Sequence, residues 1–228
     1  MNRLFSLLLG IVLYFTMATH AAPILERRQF RELYPSSDLY LRALDSLIYL
    51  SRRTNKEFVG WHGTNIETAE LWEKEGKIVK PKGVGESGSG KHLGPGLYVT
   101  DDWVTANVFA NWNAHSTKKK EKVCAIYAKD SANWRIMMTK VWMPGNLIGD
   151  HVSEAERQKY IQSRTGKRDT TAIKFGPLDP KKSGPNQLVI PDHLADHFEV
   201  HCVGVGTNPP AGIPTIHYDH EPAWQIHH

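Results

Sequence analysis

Three stretches of this 228-residue chain hold residue types suited to chemistry on a small polar ligand. His62 stands in Phe58-Val59-Gly60-Trp61-His62-Gly63-Thr64, a short apolar strand running into a turn that delivers one imidazole. Gly94-Pro95-Gly96-Leu97-Tyr98-Val99-Thr100-Asp101 repeats the arrangement with a phenol, Tyr98. Gln187 opens a third apolar run, Gln187-Leu188-Val189-Ile190, behind the loop residues Gly184-Pro185-Asn186. An imidazole can hydrogen-bond a hydroxyl, a phenol adds a flat face, and an amide both donates and accepts. Gly63 lets a ligand approach the backbone closely, and Thr64 adds a hydroxyl in the same turn. Each residue also has a plain reading. His62 can be satisfied by local backbone at a strand end, Phe109 can pack in a core with Val104 and Val108, and Gln187 can be a structural amide on a sheet edge.

The elements around these residues read as an α+β domain. Phe58–His62 predicts a strand, followed by a helix over Ile66–Glu75, capped by Asn65 and ended at Gly76. Leu97–Thr100 predicts a strand and Trp103–Trp112 a helix begun by Asp101 or Asp102. Val123–Ala128 and Trp134–Met138 read as strands. Ser153 with Glu156 forms a capping box before a polar helix ending near Arg164. Thr171–Phe175, Gln187–Ile190 and Phe198–Val205 complete a strand-rich second half. Few parallel crossover units are visible, so the expected sheet is mostly antiparallel. Upstream, Leu39, Leu41, Leu44, Leu47 and Ile48 make an apolar stripe at helical spacing. The expected organisation is a leader over 1–22, an accessory helical region over 23–54, one domain over 55–205 and an irregular tail over 206–228.

The leader follows from Asn2-Arg3, the apolar run Leu4–Met17 and the small residues Ala18, Thr19, Ala21 and Ala22, the layout of a secretory signal peptide. The run is short for a membrane span, so the chain is expected to be secreted with no span. Arg27-Arg28 beyond it is a candidate dibasic processing site. Cys124 and Cys202 are the two cysteines; in an oxidising compartment one bridge is favoured over two buried thiols. Net charge is +4, which permits an acidic partner without requiring one. Lys118-Lys119-Lys120-Glu121-Lys122 reads as a solvated loop and is weak support for a nucleic-acid partner. Gly85-Glu86-Ser87-Gly88-Ser89-Gly90-Lys91 mimics a phosphate-binding loop, but His92 replaces the magnesium-holding hydroxyl and no helix follows. A surface flap beside the site is the better reading. His193, His197 and His201 recur every four residues, yet a strand-like alternation would scatter their rings, so no metal is expected.

Taken together, His62-Gly63-Thr64, Tyr98 with an aromatic eleven residues on at Phe109, and the stretch Ala172–Pro177 followed by Gly184–Ile190 resemble the three motifs of the His-Tyr-Glu branch of ADP-ribosyltransferases, the branch of diphtheria toxin, exotoxin A and the poly-ADP-ribose polymerases. The resemblance covers about residues 55–205. It implies the split, mostly antiparallel β-sheets of the toxin-type fold with flanking helices, and NAD as the substrate. The implied reaction breaks the nicotinamide–ribose bond and transfers ADP-ribose to an acceptor, a protein of a target cell; water as acceptor would make a glycohydrolase. His62 and Gly63 would anchor NAD beside Thr64, and Tyr98 and Phe109 would sandwich nicotinamide. Gln187 stands where most members carry the catalytic Glu. An amide can accept from the ribose 2'-hydroxyl but supplies no negative charge to an oxocarbenium ion, so a silent NAD-binding module is the alternative. Asp179, Asp192 and Glu199 are the acids nearest in sequence that could substitute.

Overall fold

The computed structural model describes residues 56–79 and 92–228. The leader, Arg27-Arg28, the Leu39–Ile48 stripe and the glycine-rich Gly85–Lys91 segment lie outside the described residues. Seven strands form one sheet: β1 (Glu57–Asn65), β2 (Leu97–Thr100), β3 (Glu121–Ala128), β4 (Lys140–Trp142), β5 (Ile173–Pro177), β6 (Asn186–Ile190) and β7 (Phe198–Val203). Among the described residues three α-helices accompany them, α1 (Ile66–Glu75), α2 (Trp103–Thr117) and α3 (Glu154–Thr165). The order across the sheet is β4-β5-β6-β2-β1-β3-β7. Every neighbouring pair is antiparallel except β4–β5. The protein is therefore α+β with a mostly antiparallel open sheet.

Local chemistry sets the helix ends. Asn65 accepts from the Thr68 N–H and Gly76 closes α1 in the left-handed conformation. Asp102, not Asp101, caps α2 by accepting from the Thr105 N–H. The capping box Ser153–Glu156 starts α3. One expected strand is absent: Asn133–Met137 is a π-helical turn. Asp130 caps its start, accepting from the Ala132 and Asn133 N–H groups at 2.9 and 3.0 Å. The buried Lys140 ammonium closes its end, donating to the carbonyls of Trp134 and, at 2.7 Å, Met138. Trp134–Met138 reads as a strand in the sequence, but these two caps satisfy the turn's backbone groups locally. Burial nevertheless pushes the Lys140 pKa down to about 8.

The tail after Gly206 holds short 3-10 turns at Tyr218–His220 and Pro222–Trp224, and it is built into the core. Tyr218 and Trp224 are buried against Phe175, with ring centroids 5.2 and 6.2 Å away. His227 bridges to Val141 and extends the β4 edge. Among the described residues no helix is long and apolar enough to cross a membrane.

Candidate functional site

The sheet order sets the three motif strands side by side as β6, β2 and β1. Gln187 lies opposite Thr100, and Thr100 opposite Trp61, so one row of residues ties the strands together. That row is a hinge. Beyond it β1 and β2 part, since Trp61–Thr100 is the one registered pair between them. Tyr98 continues to pair with Val189 on β6, while His62, Gly63 and Thr64 pair with Cys124, Val123 and Lys122 on β3. Each strand thus spends its outer edge and turns its inner edge toward the opening. Tyr218 wedges the sheet just behind the hinge. Its hydroxyl donates to the Val59 carbonyl at 2.8 Å, where Gly60 bulges with φ 149°; a side chain on Gly60 would meet that hydroxyl at 2.2 Å.

His62 spans the opening. Its Nδ1 lies 2.7 Å from the Tyr98 carbonyl oxygen. A carbonyl only accepts, so Nδ1 carries the proton and Nε2 presents its lone pair. Burial pushes the His62 pKa down to about 4, partly offset by that hydrogen bond, so the ring is neutral at pH 7. The indole of Trp72 on α1 lies beside it, 5.2 Å between centroids. On β3 and β7 the row that begins at His62 continues through Cys124 and Cys202, which form a disulfide. The expected bridge is present.

Tyr98 spends its hydroxyl on the turn before it, donating to the Gly94 carbonyl and accepting from the Leu93 N–H, both at 2.8 Å. Burial pushes its pKa up to about 12. What it has left for a ligand is the half-buried ring face. Phe109 belongs to α2, whose backbone presses on Gly63: a Cβ there would sit 2.2 Å from the Ala106 oxygen and 2.4 Å from the Ala110 nitrogen. Gly63 is thus required by helix packing, whatever its backbone offers a ligand. The Phe109 ring is exposed, and among the described residues no ring contact joins it to Tyr98. Thr64 is buried in β1.

Gln187 is buried, and its amide nitrogen donates to the Pro177 carbonyl at 3.2 Å. Its own oxygen has no hydrogen-bond donor among the described residues. The residue before it is clamped by an acid that the sequence reading assigned only to helix capping. Asp101 accepts from the Asn186 N–H at 2.8 Å, from the Asn186 side-chain amide at 2.9 Å and from the Tyr218 N–H at 3.2 Å. Thr100 completes the clamp by donating its hydroxyl to the Asn186 carbonyl at 2.9 Å. Burial raises the Asp101 pKa despite these donors. The signal was in the sequence: two consecutive aspartates precede α2, one caps it, and the other is left over.

The acids nearest in sequence stand elsewhere. Asp179 accepts from the Lys181 N–H at 2.9 Å within the turn between β5 and β6. Asp192 begins the 3-10 turn after β6. Glu199 is on β7, four strands from β6, and pairs with Lys56 at 2.7 Å. A second cluster that sequence reasoning missed lies behind Tyr98. Lys174, buried on β5, donates to Glu154 at 2.8 Å, and Arg157 donates to the His92 and Gly149 carbonyls at 3.0 and 2.8 Å. Burial lowers the Lys174 pKa, with Glu154 opposing. His193 and His197 lie in a 3-10 turn and His201 on β7; among the described residues no group of three or more His, Cys, Asp or Glu side chains gathers as a metal site would need.

No curated protein matches the chain. Residues 91–227 match a protein family described as a family of unknown function, DUF5910. The matched span includes Tyr98, Phe109, Gln187, the Asp101 clamp and the buried tail, and begins after His62. Since that span is more than half of the 228 residues, the chain belongs to the family of unknown function DUF5910.

Proposed function

We propose that the protein is a secreted NAD-consuming enzyme of the ADP-ribosyltransferase kind, acting on a protein of a target cell. The observation that carries this reading is the parting of β1 from β2 after the Trp61–Thr100 pair, where the His62 imidazole reaches the Tyr98 carbonyl. A sheet that parts there supports the toxin-type arrangement of split sheets. The neutral His62, with Nε2 as an acceptor, fits a ribose hydroxyl. The inner edge of β1 offers backbone groups to the nicotinamide carboxamide, and the Tyr98 ring face suits its flat ring. The Gln187 oxygen, held by the anchoring of its amide nitrogen, is an acceptor for the 2'-hydroxyl. In the reaction the bond from ribose C1' to the nicotinamide nitrogen breaks and its electron pair leaves with nicotinamide. A nucleophile of the acceptor then bonds to C1' and gives up its proton. The disulfide agrees with an oxidising destination.

A second reading has its own support. Asp101 is spent on Asn186 and Tyr218, Asp179 on its own turn and Glu199 on Lys56. If none of these carboxylates reaches the ribose to stabilise the oxocarbenium ion, the site would bind NAD without cleaving it. The deciding experiment incubates the purified protein with NAD, quantifies nicotinamide, and measures NAD binding by calorimetry, beside His62→Ala and Gln187→Ala. Release that both substitutions abolish is the expected result, and an acceptor-free assay then separates transfer from hydrolysis. Binding without release would establish the silent module. Neither binding nor release would sink both readings.

A further inference from the structure

Helix α2 turns Trp103 and three alanines inward and leaves four large apolar side chains outside. Ala106, Ala110 and Ala114 lie buried against the sheet, as Gly63 requires. On the solvent side Val104 is 63% exposed, Val108 59%, Trp112 49% and Phe109 38%. From Trp103 to Thr117 the helix contains no Lys, Arg, Asp or Glu. Asn111 and His115 share this face, but four large apolar side chains exposed together mark an interaction surface, and the fold of residues 56–79 and 92–228 leaves them bare.

We propose that the face is covered by α2 of a second copy of this chain, in an antiparallel twofold pair centred on Val108. The spacing is self-complementary. Val104, Val108 and Trp112 recur every four residues along about 12 Å of helix, so a twofold axis at Val108 sets Val108 against itself and Val104 against Trp112 of the second copy. Such i, i+4 ridges are the ones helices interdigitate, and an isologous contact is the usual route to a dimer. The charges agree with this direction. Asp102 stands at the start of α2, while Lys118 and Lys120, both exposed, follow its end. Antiparallel pairing brings the acidic end of each helix toward the basic end of the other, with about 6 Å of stagger for a lysine side chain to span. A parallel pair would set like charges together. Phe109 falls at the rim, and the pairing rests on Val104, Val108 and Trp112, none of which the NAD reading uses.

One helix face from each copy is a small contact, and a dimer dissociation constant of about 1 μM or weaker is expected. Sedimentation velocity on the full chain over about 1–200 μM tests this, with Val108→Glu as the disrupting variant. The expected result is a monomer–dimer equilibrium in the wild type and a monomer throughout for Val108→Glu, whose melting temperature stays unchanged because the site is exposed. Val108→Cys should form an inter-chain disulfide under mild oxidation, while Glu70→Cys on α1 should not. A wild type that stays monomeric overturns the proposal, whether a lipid surface or another protein then proves to be the occupant. So does a dimer that Val108→Glu leaves intact, or one in which Val108→Cys cross-links no better than Glu70→Cys.

Discussion

The buried, neutral His62 makes folding stability depend on pH with a sign and size that can be worked out. In the unfolded chain its pKa is near 6.5, and in the folded protein burial pushes it to about 4. The folded state therefore binds fewer protons between those values. The contribution is fully present above pH 6.5 and is lost as pH falls toward 4. Converting the gap gives about 3 kcal/mol of stability lost to this one residue across the window. His62→Gln is the informative comparison, because a glutamine amide can still donate to the Tyr98 carbonyl but does not titrate. Asp101 works in the opposite direction: its raised pKa makes the folded state take up a proton as pH falls. Asp101 is common to both proteins and cancels in the difference. Urea unfolding followed by tryptophan fluorescence at pH 4, 5, 6, 7 and 8 should show the wild type losing about 3 kcal/mol more than His62→Gln between the ends of the range. A gap constant to within about 0.5 kcal/mol would refute a buried neutral ring. So would an imidazole NMR titration placing His62 near 6.5 in the folded protein.

Other perturbations have expected outcomes of their own. Replacing both Cys124 and Cys202 by Ala removes a cross-link separated by 78 residues. That should cost about 4 kcal/mol and lower the melting temperature by about 8–16 °C in calorimetry; a loss below about 1 kcal/mol would contradict it. Gly63→Ala puts a methyl group 2.2 Å from the Ala106 oxygen. The displaced α2 should cost on the order of 1–3 kcal/mol in chemical denaturation, and an unchanged midpoint would mean the helix yields freely. Tyr218→Phe leaves the buried Val59 carbonyl without its donor. A cost of about 1–3 kcal/mol is expected, and no cost at all would show that the tail is not needed at the hinge.

Much of the fold was legible because its signals are local. Asn65 and Gly76 bound α1, and Ser153 with Glu156 starts α3, through bonds between residues three or four apart. The strands at Leu97–Thr100 and near Gln187 showed as apolar runs between turn residues. The misread segment at Asn133–Met137 is instructive. The segment read as a strand, while the deciding caps came from Asp130, which was local and overlooked, and from Lys140, which reaches back from the next strand. The residue types of the candidate site were legible too, down to the imidazole, phenol and amide.

Sequence alone could not say what those residues face. The row Gln187–Thr100–Trp61 joins strands whose residues are 87 and 39 positions apart, the parting of β1 from β2 depends on sheet order, and the His62 tautomer depends on a carbonyl brought to it by that order. Asp101 read as a helix cap until the fold turned it toward Asn186 and Tyr218, 85 and 117 residues away. The tail read as irregular, which its backbone is, yet Tyr218 and Trp224 close the core. Local bonds are written in neighbouring residues and can be read one turn at a time. Burial, register and the charge state of His62 are set by which distant segments exclude water from one another, and that was decided only when the sheet assembled.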